Sequence, residues 1–408
     1  MRESTLKDLT LNITDGKHGD CQNQENSGYY FISCKDVYEG EIHYSDARQI
    51  TPKDYEETHR RTKLEPNDIL VTNSGTIGRM AFIKDRPLTY KTTFQKSVAI
   101  VKPDCTKVLP KYLYYQLKNC VAQFVNESNG SAQKNLLLST MREFKIFVHE
   151  DIRTQQKLAD ILSTYDDMIE NNKKQIKLLE EAVQRLYKEW FVDLHFPGWE
   201  NTTIVDGVPE GWRNATVGDI CKLRKETIKA DQIPSGLSYI GLEHMPRKDI
   251  CLADWGSSES VTSNKFKYYE NDILFGKIRP YFHKVGFALN NGIASTDAII
   301  MTAHKELWGL LLSVVSSDAF VDCTYQNCKE GSKMPRADWN QMKVYPILIA
   351  ESKIQRHFEA KISSMTQRIK TLAMQNHLLQ EARDRLLPKL MSGELAVSYT
   401  HLRAHETR

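Results

Sequence analysis

The residues that could do chemistry in this sequence lie in polar loops that combine glycine with cationic and amide side chains. Glycine lets backbone N–H groups approach a phosphate closely, and arginine can bind a phosphate or the edge of a guanine. Asn, Gln, Ser and Lys also read base edges. The candidate DNA-binding residues are Lys17, His18, Asn73, Ser74, Thr76, Arg79, Ser131, Gln133, Lys134, Lys277, Arg279, Tyr281, Lys284, Ser332, Lys333 and Arg336.

These loops occur in pairs along the chain. TNSGTIGR (72–79) is matched by GKIRPYFHK (276–284), and NGSAQKN (129–135) is matched by KEGSKMPR (329–336). For any one loop, a hairpin turn with solvated cations is a sufficient explanation. A turn does not explain why Lys or Arg recurs beside the glycine at equivalent places, so the recurrence favours nucleic-acid binding.

The sequence carries no recognisable catalytic or metal-binding motif. It has no GxxxxGK[ST] or GxGxxG phosphate loop, no HExxH and no GxSxG. Its eight cysteines form no CxxC, and its histidines show no ligand spacing. Carboxylates such as Asp166 and Asp167 are expected on a solvated helix face. We therefore expect no catalytic residue, no metal and no cofactor.

The composition indicates a soluble globular protein. Of 408 residues, 26% are charged and 40% hydrophobic, and the net charge of +3 neither requires nor excludes nucleic acid. Length predicts two or three domains. No run approaches the ~18 apolar residues of a membrane span, and no signal-peptide core is present. We expect a cytoplasmic protein with reduced thiols and no membrane partner.

A long helix organises the rest of the chain. Residues 155–191 contain neither Pro nor Gly, and their apolar residues recur in steps of three and four, which is typical of a helix packed against another. At about 1.5 Å per residue this helix spans on the order of 55 Å. The pattern returns 200 residues later, where LLQEARDRL (378–386) repeats LLEEAVQRL (178–186). The chain is therefore a duplication.

The duplication predicts two long helices packed as an antiparallel coiled coil. A pseudo-two-fold axis near position 174 would place Asn172 opposite Asn376, where a buried pair costs stability but fixes the register. Alternatively, each Asn faces solvent at the edge of the seam. The predicted interface residues are Leu162, Ile169, Asn172, Ile176, Leu179, Leu186, Ile362, Ile369, Leu372, Asn376, Leu379 and Leu386.

The globular parts repeat as well, because NDIL begins both 67–83 and 271–288. We predict an α+β fold with two tandem pseudo-repeated α/β domains separated by the two long helices. In the first domain we expect strands within 27–37 and 96–103 and one helix over 109–125. The expected segments are domains at 1–150 and 211–350, long helices at 151–192 and 351–392, a linker at 193–210, and a tail at 393–408 that is expected to be partly non-native.

Apart from this tail, the chain resembles the DNA-specificity subunit of type I restriction–modification systems. The resemblance lies in RLYKEWFVDLHFPG…DGVPEGWRNATVGDI (185–220), in the two NDIL elements and in LLPKLMSGEL (386–395), which resembles the family's C-terminal end. The second copy lacks the paired glycines Gly75 and Gly78, so loop roles are not transferred one to one between the copies.

The resemblance implies that each globular domain, a target-recognition domain, reads one half of a bipartite asymmetric site in double-stranded DNA. The helix pair would set the spacer length and carry two methyltransferase (modification) subunits, and restriction/translocase subunits would join this core. Half-sites one DNA turn apart, ~34 Å, suit helices of this length. The chain itself would be non-catalytic.

Two other classes of protein stay open. One is a non-enzymatic coiled-coil scaffold whose globular domains bind protein, which predicts no salt-dependent affinity for DNA. The other is one lobe of a fused restriction–methylation enzyme, which would require catalytic motifs beyond this chain.

Overall fold

A computed structural model describes residues 1–128, 135–328 and 334–395. The chain divides into two compact units. The first contains Met1–Asp167 together with the residues from Gln380 on, and the second contains Met168–Leu379. Each unit thus holds one globular domain and part of both long helices. The segments expected from the sequence instead keep each long helix whole.

The first globular domain has a four-stranded antiparallel sheet at its centre. Its strands are β1 (Arg2–Thr5), β2 (Thr10–Asp15), β3 (Tyr30–Ile32), β4 (Val37–Tyr38), β5 (Glu41–Ile42), β6 (Arg48–Gln49), β7 (Ile69–Thr72), β8 (Met80–Phe82), β9 (Thr92–Phe94), β10 (Val98–Pro103) and β11 (Lys145–Val148). Its helices are α1 (Pro52–Thr62), α2 (Pro110–Asn119), α3 (Val121–Asn126) and α4 (Leu138–Glu143). The central sheet has the order β2-β10-β7-β8, and a second sheet has the order β6-β3-β9.

Buried apolar runs explain the central strands. All four residues of β7 are buried, as are the first four of β10, which favours strands covered on both faces. The segments on either side of Gly75 and Gly78 form β7 and β8, which pair antiparallel. The single helix expected over 109–125 is wrong, because the backbone leaves helical geometry at Cys120 (φ −96°, ψ 5°) and separates α2 from α3.

The long helix α5 (Ile152–Tyr187) ends in a π-helical turn at Lys188–Val192. A short hairpin of β12 (Ile204–Val205) and β13 (Val208–Pro209) then leads into the second domain. Glycine and proline punctuate this connection, as the turn-rich sequence predicts.

The second globular domain repeats the topology of the first. Its strands are β14 (Arg213–Thr216), β15 (Cys221–Arg224), β16 (Thr227–Ile228), β17 (Ser238–Ile240), β18 (Cys251–Leu252), β19 (Gly256–Ser257), β20 (Lys265–Tyr268), β21 (Ile273–Gly276), β22 (Val285–Ala288), β23 (Gly292–Ala294), β24 (Ala298–Ala303) and β25 (Pro346–Ile349). Its helices are α6 (Val217–Ile220), α7 (Trp308–Val315), α8 (Asp318–Gln326) and α9 (Trp339–Met342). The sheet β15-β24-β21-β22-β18 corresponds to β2-β10-β7-β8, and the parallel pair β17–β23 corresponds to β3–β9.

The second long helix, α10 (Ser352–Met391), runs antiparallel to α5. In the second unit, the Asn172 Nδ2 donates a hydrogen bond to the Asn376 Oδ1 at 3.0 Å, and both residues are buried. Farther along the pair, the rings of Trp190 and Phe358 lie 5.8 Å apart. The predicted Asn pair is therefore confirmed, and the solvent-facing alternative is wrong.

The remaining predicted interface residues are all at least partly buried. The buried members are Leu162, Ile169, Ile362, Ile369 and Leu372, and the partly buried members are Ile176, Leu179, Leu186, Leu379 and Leu386. The α+β fold with two repeated domains and an antiparallel helix pair is confirmed. Within the described ranges, no helix is both long and apolar enough to cross a membrane.

One expectation about the helix surface is wrong. In the first unit, the Asp166 carboxylate accepts hydrogen bonds from the Tyr115 hydroxyl at 2.7 Å and from the Arg383 guanidinium. Burial, together with the Asp166 charge, raises the pKa of Tyr115. Asp166, whose side chain is 29% exposed, thus ties α2 and α10 to α5, whereas Asp167 is exposed as expected.

Candidate nucleic-acid interface

Three segments of the first domain meet where β7 ends: the β7–β8 loop, the β9–β10 loop and the chain before α4. The Asn73 N–H donates to the Ser97 carbonyl at 3.1 Å, and the Leu136 N–H donates to the Asn73 carbonyl at 2.8 Å. Ser74 also forms an antiparallel bridge with Asn135. Main-chain groups of Asn73 therefore hold the three segments together.

The second domain builds the same junction at the end of β21. The Lys277 N–H donates to the Asp297 carbonyl at 2.7 Å, and the Ala337 N–H donates to the Lys277 carbonyl at 2.8 Å. Ile278 bridges to Arg336, as Ser74 does to Asn135. The loops that the sequence pairs are thus structurally equivalent, and the same backbone frame presents asparagine in one copy and lysine in the other.

In the first copy, the β7–β8 loop depends on its glycines. Gly75 and Gly78 have φ angles of +80° and +84°, a region that L side chains rarely adopt. A Cβ on Gly78 would lie 2.7 Å from the Val121 Cγ1, so the loop packs closely on α3. A hydrogen bond of 2.8 Å from the Thr72 N–H to the Arg79 carbonyl closes the loop.

In the second copy, the β21–β22 loop reaches a fixed shape by other means. The Gly276 N–H closes it on the Lys284 carbonyl at 2.8 Å, so this loop spans 277–283 and is one residue longer than 73–78. Arg279 and His283 both have a φ of +51° and flank a 3₁₀ turn. The buried His283 ring contacts the Ser316 carbonyl at 2.9 Å, and burial lowers its pKa.

Several predicted site residues are accessible to a ligand. Thr76 and Arg79 are exposed, and within the described ranges the Arg79 guanidinium makes no hydrogen bond or ion pair. Tyr281 is 46% exposed. Arg336 is exposed as well, and its guanidinium lies 3.1 Å from the Asp297 carboxylate.

Other predicted cations are held by the protein. The Lys17 Nζ lies 3.4 Å from carboxylates of both Asp54 and Glu57, and the His18 ring pairs with Asp15 at 2.8 Å. The Lys284 ammonium donates to the Leu242 carbonyl; burial and the nearby Arg247 lower its pKa.

Three further predicted residues are partly or fully withdrawn from solvent. Asn73 is buried, and its side-chain oxygen has no hydrogen-bond partner within the described ranges. Lys277 is half-buried, with its Nζ 3.4 Å from the Thr296 carbonyl, and the Arg279 guanidinium lies 5.8 Å from the centre of the Phe282 ring. Ser131, Gln133, Lys134, Ser332 and Lys333 lie outside the described residues.

The structure adds side chains that the sequence patterns do not single out. In the first domain, the rings of Tyr38 and His43 stack with centroids 3.4 Å apart. In the second, the Arg247 guanidinium lies 4.2 Å from the centre of the Phe282 ring. Arg247 and Phe282 lie far apart in the chain, so no spacing rule connects them. The only sign of these side chains in the sequence is that aromatic residues occur near the loops.

The chain is similar in sequence and in fold to known proteins. Residues 2–181 match the family model of the type I restriction modification DNA specificity domain. Over 394 residues, the chain is 28% identical to the type I restriction enzyme MjaIX specificity subunit of Methanocaldococcus jannaschii, covering 90% of this chain and 87% of that protein. It is 22% identical over 369 residues to the HindI specificity subunit of Haemophilus influenzae, covering 72% of this chain and 80% of that one.

A crystal structure shares the fold. The S subunit of a type I restriction–modification system from M. genitalium superposes with a TM-score of 0.54 at 15% identity, over 95% of both chains. The domain match, the relatives that align along most of the chain and this common fold show that the chain is similar to the specificity subunits of type I restriction–modification systems.

Proposed function

We propose that this chain is the non-catalytic DNA-reading subunit of a type I restriction–modification complex, in which each globular domain reads one half of a bipartite asymmetric site. The repeated loop junction carries the proposal. Equivalent main-chain hydrogen bonds place Asn73 in one domain where the other has Lys277. Base edges are read by accessible side chains, and the constant frame carries exposed Thr76 and Arg79 in one domain but exposed Tyr281 and Arg336 in the other. Such a frame suits two readers of different half-sites.

Each domain would use the accessible side chains at its junction. Arg79 in the first domain and Arg336 in the second are exposed cations suited to phosphate or guanine. Lys17, Lys284 and Arg336 are already engaged by groups of the protein, so we rank them below Arg79 as contacts. The five candidates outside the described residues stay proposals from the sequence.

The helix pair would set the length of the unread spacer and dock two methyltransferase subunits, and restriction/translocase subunits would join that core. The Asn172–Asn376 hydrogen bond supports the first role, because a buried amide pair selects one register of a coiled coil at a cost in stability. A register that cannot slip gives a spacer of one length. The duplication of the helices supports the second role, since equivalent surfaces suit two copies of one partner.

Methylation mapping tests this function. The chain is expressed with its neighbouring methyltransferase subunit, and the modified positions in cellular DNA are located. We expect a split, asymmetric motif with a fixed gap that disappears when the gene for this chain is deleted. A continuous motif, or one unchanged by the deletion, would contradict the proposal and favour the protein-binding scaffold.

A further inference from the structure

An exposed aromatic cluster stands beside the β21–β22 loop of the second domain. Tyr281 and Tyr325 are 46% and 45% exposed, and their ring centroids lie 5.2 Å apart in an edge-to-face arrangement. The Phe282 ring lies 4.8 Å from that of Tyr281. We call these three residues the aromatic platform. Exposed apolar surface gathered in this way marks a binding site more often than an isolated exposed ring does.

The charges around the aromatic platform favour an anionic ligand. The guanidinium groups of Arg247 and Arg279 lie 4.2 Å and 5.8 Å from the centre of the Phe282 ring. The carboxylates of Asp318 and Asp297, which flank the loop, are paired with Lys248 at 2.9 Å and Arg336 at 3.1 Å. Flat rings beside arginines match the bases and phosphates of nucleic acid.

The platform is held in place before any ligand arrives. Pro280 fixes one backbone angle in the turn that carries Tyr281 and Phe282. The next residue, His283, is anchored on the Ser316 carbonyl. Rigid aromatic side chains lose little conformational entropy on binding, so this arrangement favours a stacking contact.

The β7–β8 loop of the first domain, residues 73–78, carries no aromatic side chain. It carries Gly75 and Gly78 where the second domain carries the aromatic turn, and a side chain on Gly78 would collide with Val121. A difference in how the two domains contact DNA therefore follows from the two loops.

We propose that the aromatic platform stacks on base rings exposed at an opened base step in the half-site read by the second domain. This inference rests on the proposed function, because it presupposes that the second domain contacts DNA. Aromatic side chains pack against unstacked bases in many nucleic-acid complexes, and several architectural proteins insert apolar side chains between base steps.

The test uses the full chain in complex with its methyltransferase subunit and a duplex that carries the mapped motif. Binding is compared for wild type, the double variant Tyr281→Ala/Tyr325→Ala and the double variant Tyr281→Phe/Tyr325→Phe. The matched control is Tyr269→Ala, since Tyr269 is also exposed, lies 4.5 Å from the Arg224 guanidinium and precedes β21 at its opposite end.

We expect the double alanine variant to bind the duplex about 5- to 100-fold more weakly. The double phenylalanine variant, which keeps the rings, and the control should stay within about twofold of wild type. A duplex with a scrambled second half-site should be bound equally weakly by wild type and by the double alanine variant.

Each other outcome has a distinct meaning. Wild type that does not discriminate mapped from scrambled duplexes would overturn the proposed function. Discrimination by wild type together with unchanged binding by the double alanine variant would overturn only the inference. An equal loss of duplex binding in the double phenylalanine variant would show that the hydroxyl groups, not stacking, make the contact. Failure of the double alanine variant to assemble with the methyltransferase subunit would show that this surface is a protein interface. Either result would overturn the inference of stacking.

Discussion

Asp68 and Asp272 give a structural reason for the NDIL element in both halves of the sequence. The Asp68 carboxylate accepts from the Glu65 N–H and from the Lys102 ammonium, each at 2.7 Å. Asp272 occupies the equivalent position in the second domain, and its carboxylate accepts from the Arg224 guanidinium at 2.7 Å. Both aspartates are buried at the start of a central strand, so this motif builds the frame and does not face a ligand.

Glu180 is a buried carboxylate on α5 that sequence patterns do not reveal. Its Oε1 accepts hydrogen bonds from the Ile250 and Cys251 N–H groups at 2.9 and 3.0 Å. Burial, with a contribution from Asp249, raises its pKa to about 7. The pKa of Glu180 is higher in the folded state than its ordinary value, so protonated Glu180 stabilises the fold. This contribution to the free energy of unfolding is complete below about pH 4.5 and is lost as pH rises through 7.

This linkage predicts the behaviour of Glu180→Gln. Glutamine keeps an oxygen acceptor for both N–H groups but cannot ionise. We expect the free energy of unfolding of wild type to fall relative to that of the variant by about 1–3 kcal/mol between pH 5 and 8. Urea denaturation across that range measures the difference. The exposed neighbour supplies the control, Glu181→Gln; parallel pH curves for wild type and Glu180→Gln would show that the burial of Glu180 has no energetic consequence.

At the scale of elements, the helix pair shows how buried polar contacts define one alignment among several. Apolar residues at steps of three and four fit several registers almost equally well. The Asn172–Asn376 hydrogen bond is satisfied in only one of them. The contact of Asp166 with Arg383 adds a charged pairing elsewhere along the same helices.

A double-mutant cycle on the Asn pair tests its role. Asn172→Leu alone leaves the Asn376 amide buried without its partner, and we expect a loss of about 1–3 kcal/mol in the free energy of unfolding. Adding Asn376→Leu should recover most of that loss, because both polar groups are then removed. Chemical denaturation supplies the free energies. If the two single losses simply added in the double variant, the amides would not be coupled.

At the scale of the whole molecule, the two domains are repeats with separate cores, each joined to parts of both helices. One core of the first unit includes Leu162 and Leu390, and one core of the second includes Val183 and Ile362. Separate cores permit one domain to be replaced without repacking the other.

Exchange of residues 1–150 for those of another family member is therefore expected to change one half of the methylated motif only. Methylation mapping of cells that express the chimera reads both halves at once. The reciprocal exchange of 211–350 is the control and should change the other half. Loss of both half-site specificities in a folded chimera would show that the domains do not read independently.

Sequence reasoning reached the repeat, the fold and the helix register, because periodicity and duplication are local or regular signals. It also predicted, for the same reason, that the loops at 72–79 and 276–284 are equivalent. It did not predict that Lys284 turns toward the Leu242 carbonyl or that Lys17 meets Asp54. Those orientations depend on partners that are distant in the chain, and no spacing rule encodes them. The break at Cys120 was missed because helix propensity is weak beside tertiary packing.

The main-chain character of the loop junction has a consequence for evolution. The hydrogen bonds at Asn73 and Lys277 use only peptide groups, so exposed side chains in the loops that follow can be substituted while the frame persists. After duplication, the two halves were thus free to diverge in the sequence of these loops while keeping a common architecture. Under the proposed function, new DNA targets become reachable by single substitutions, each made in a protein that still folds.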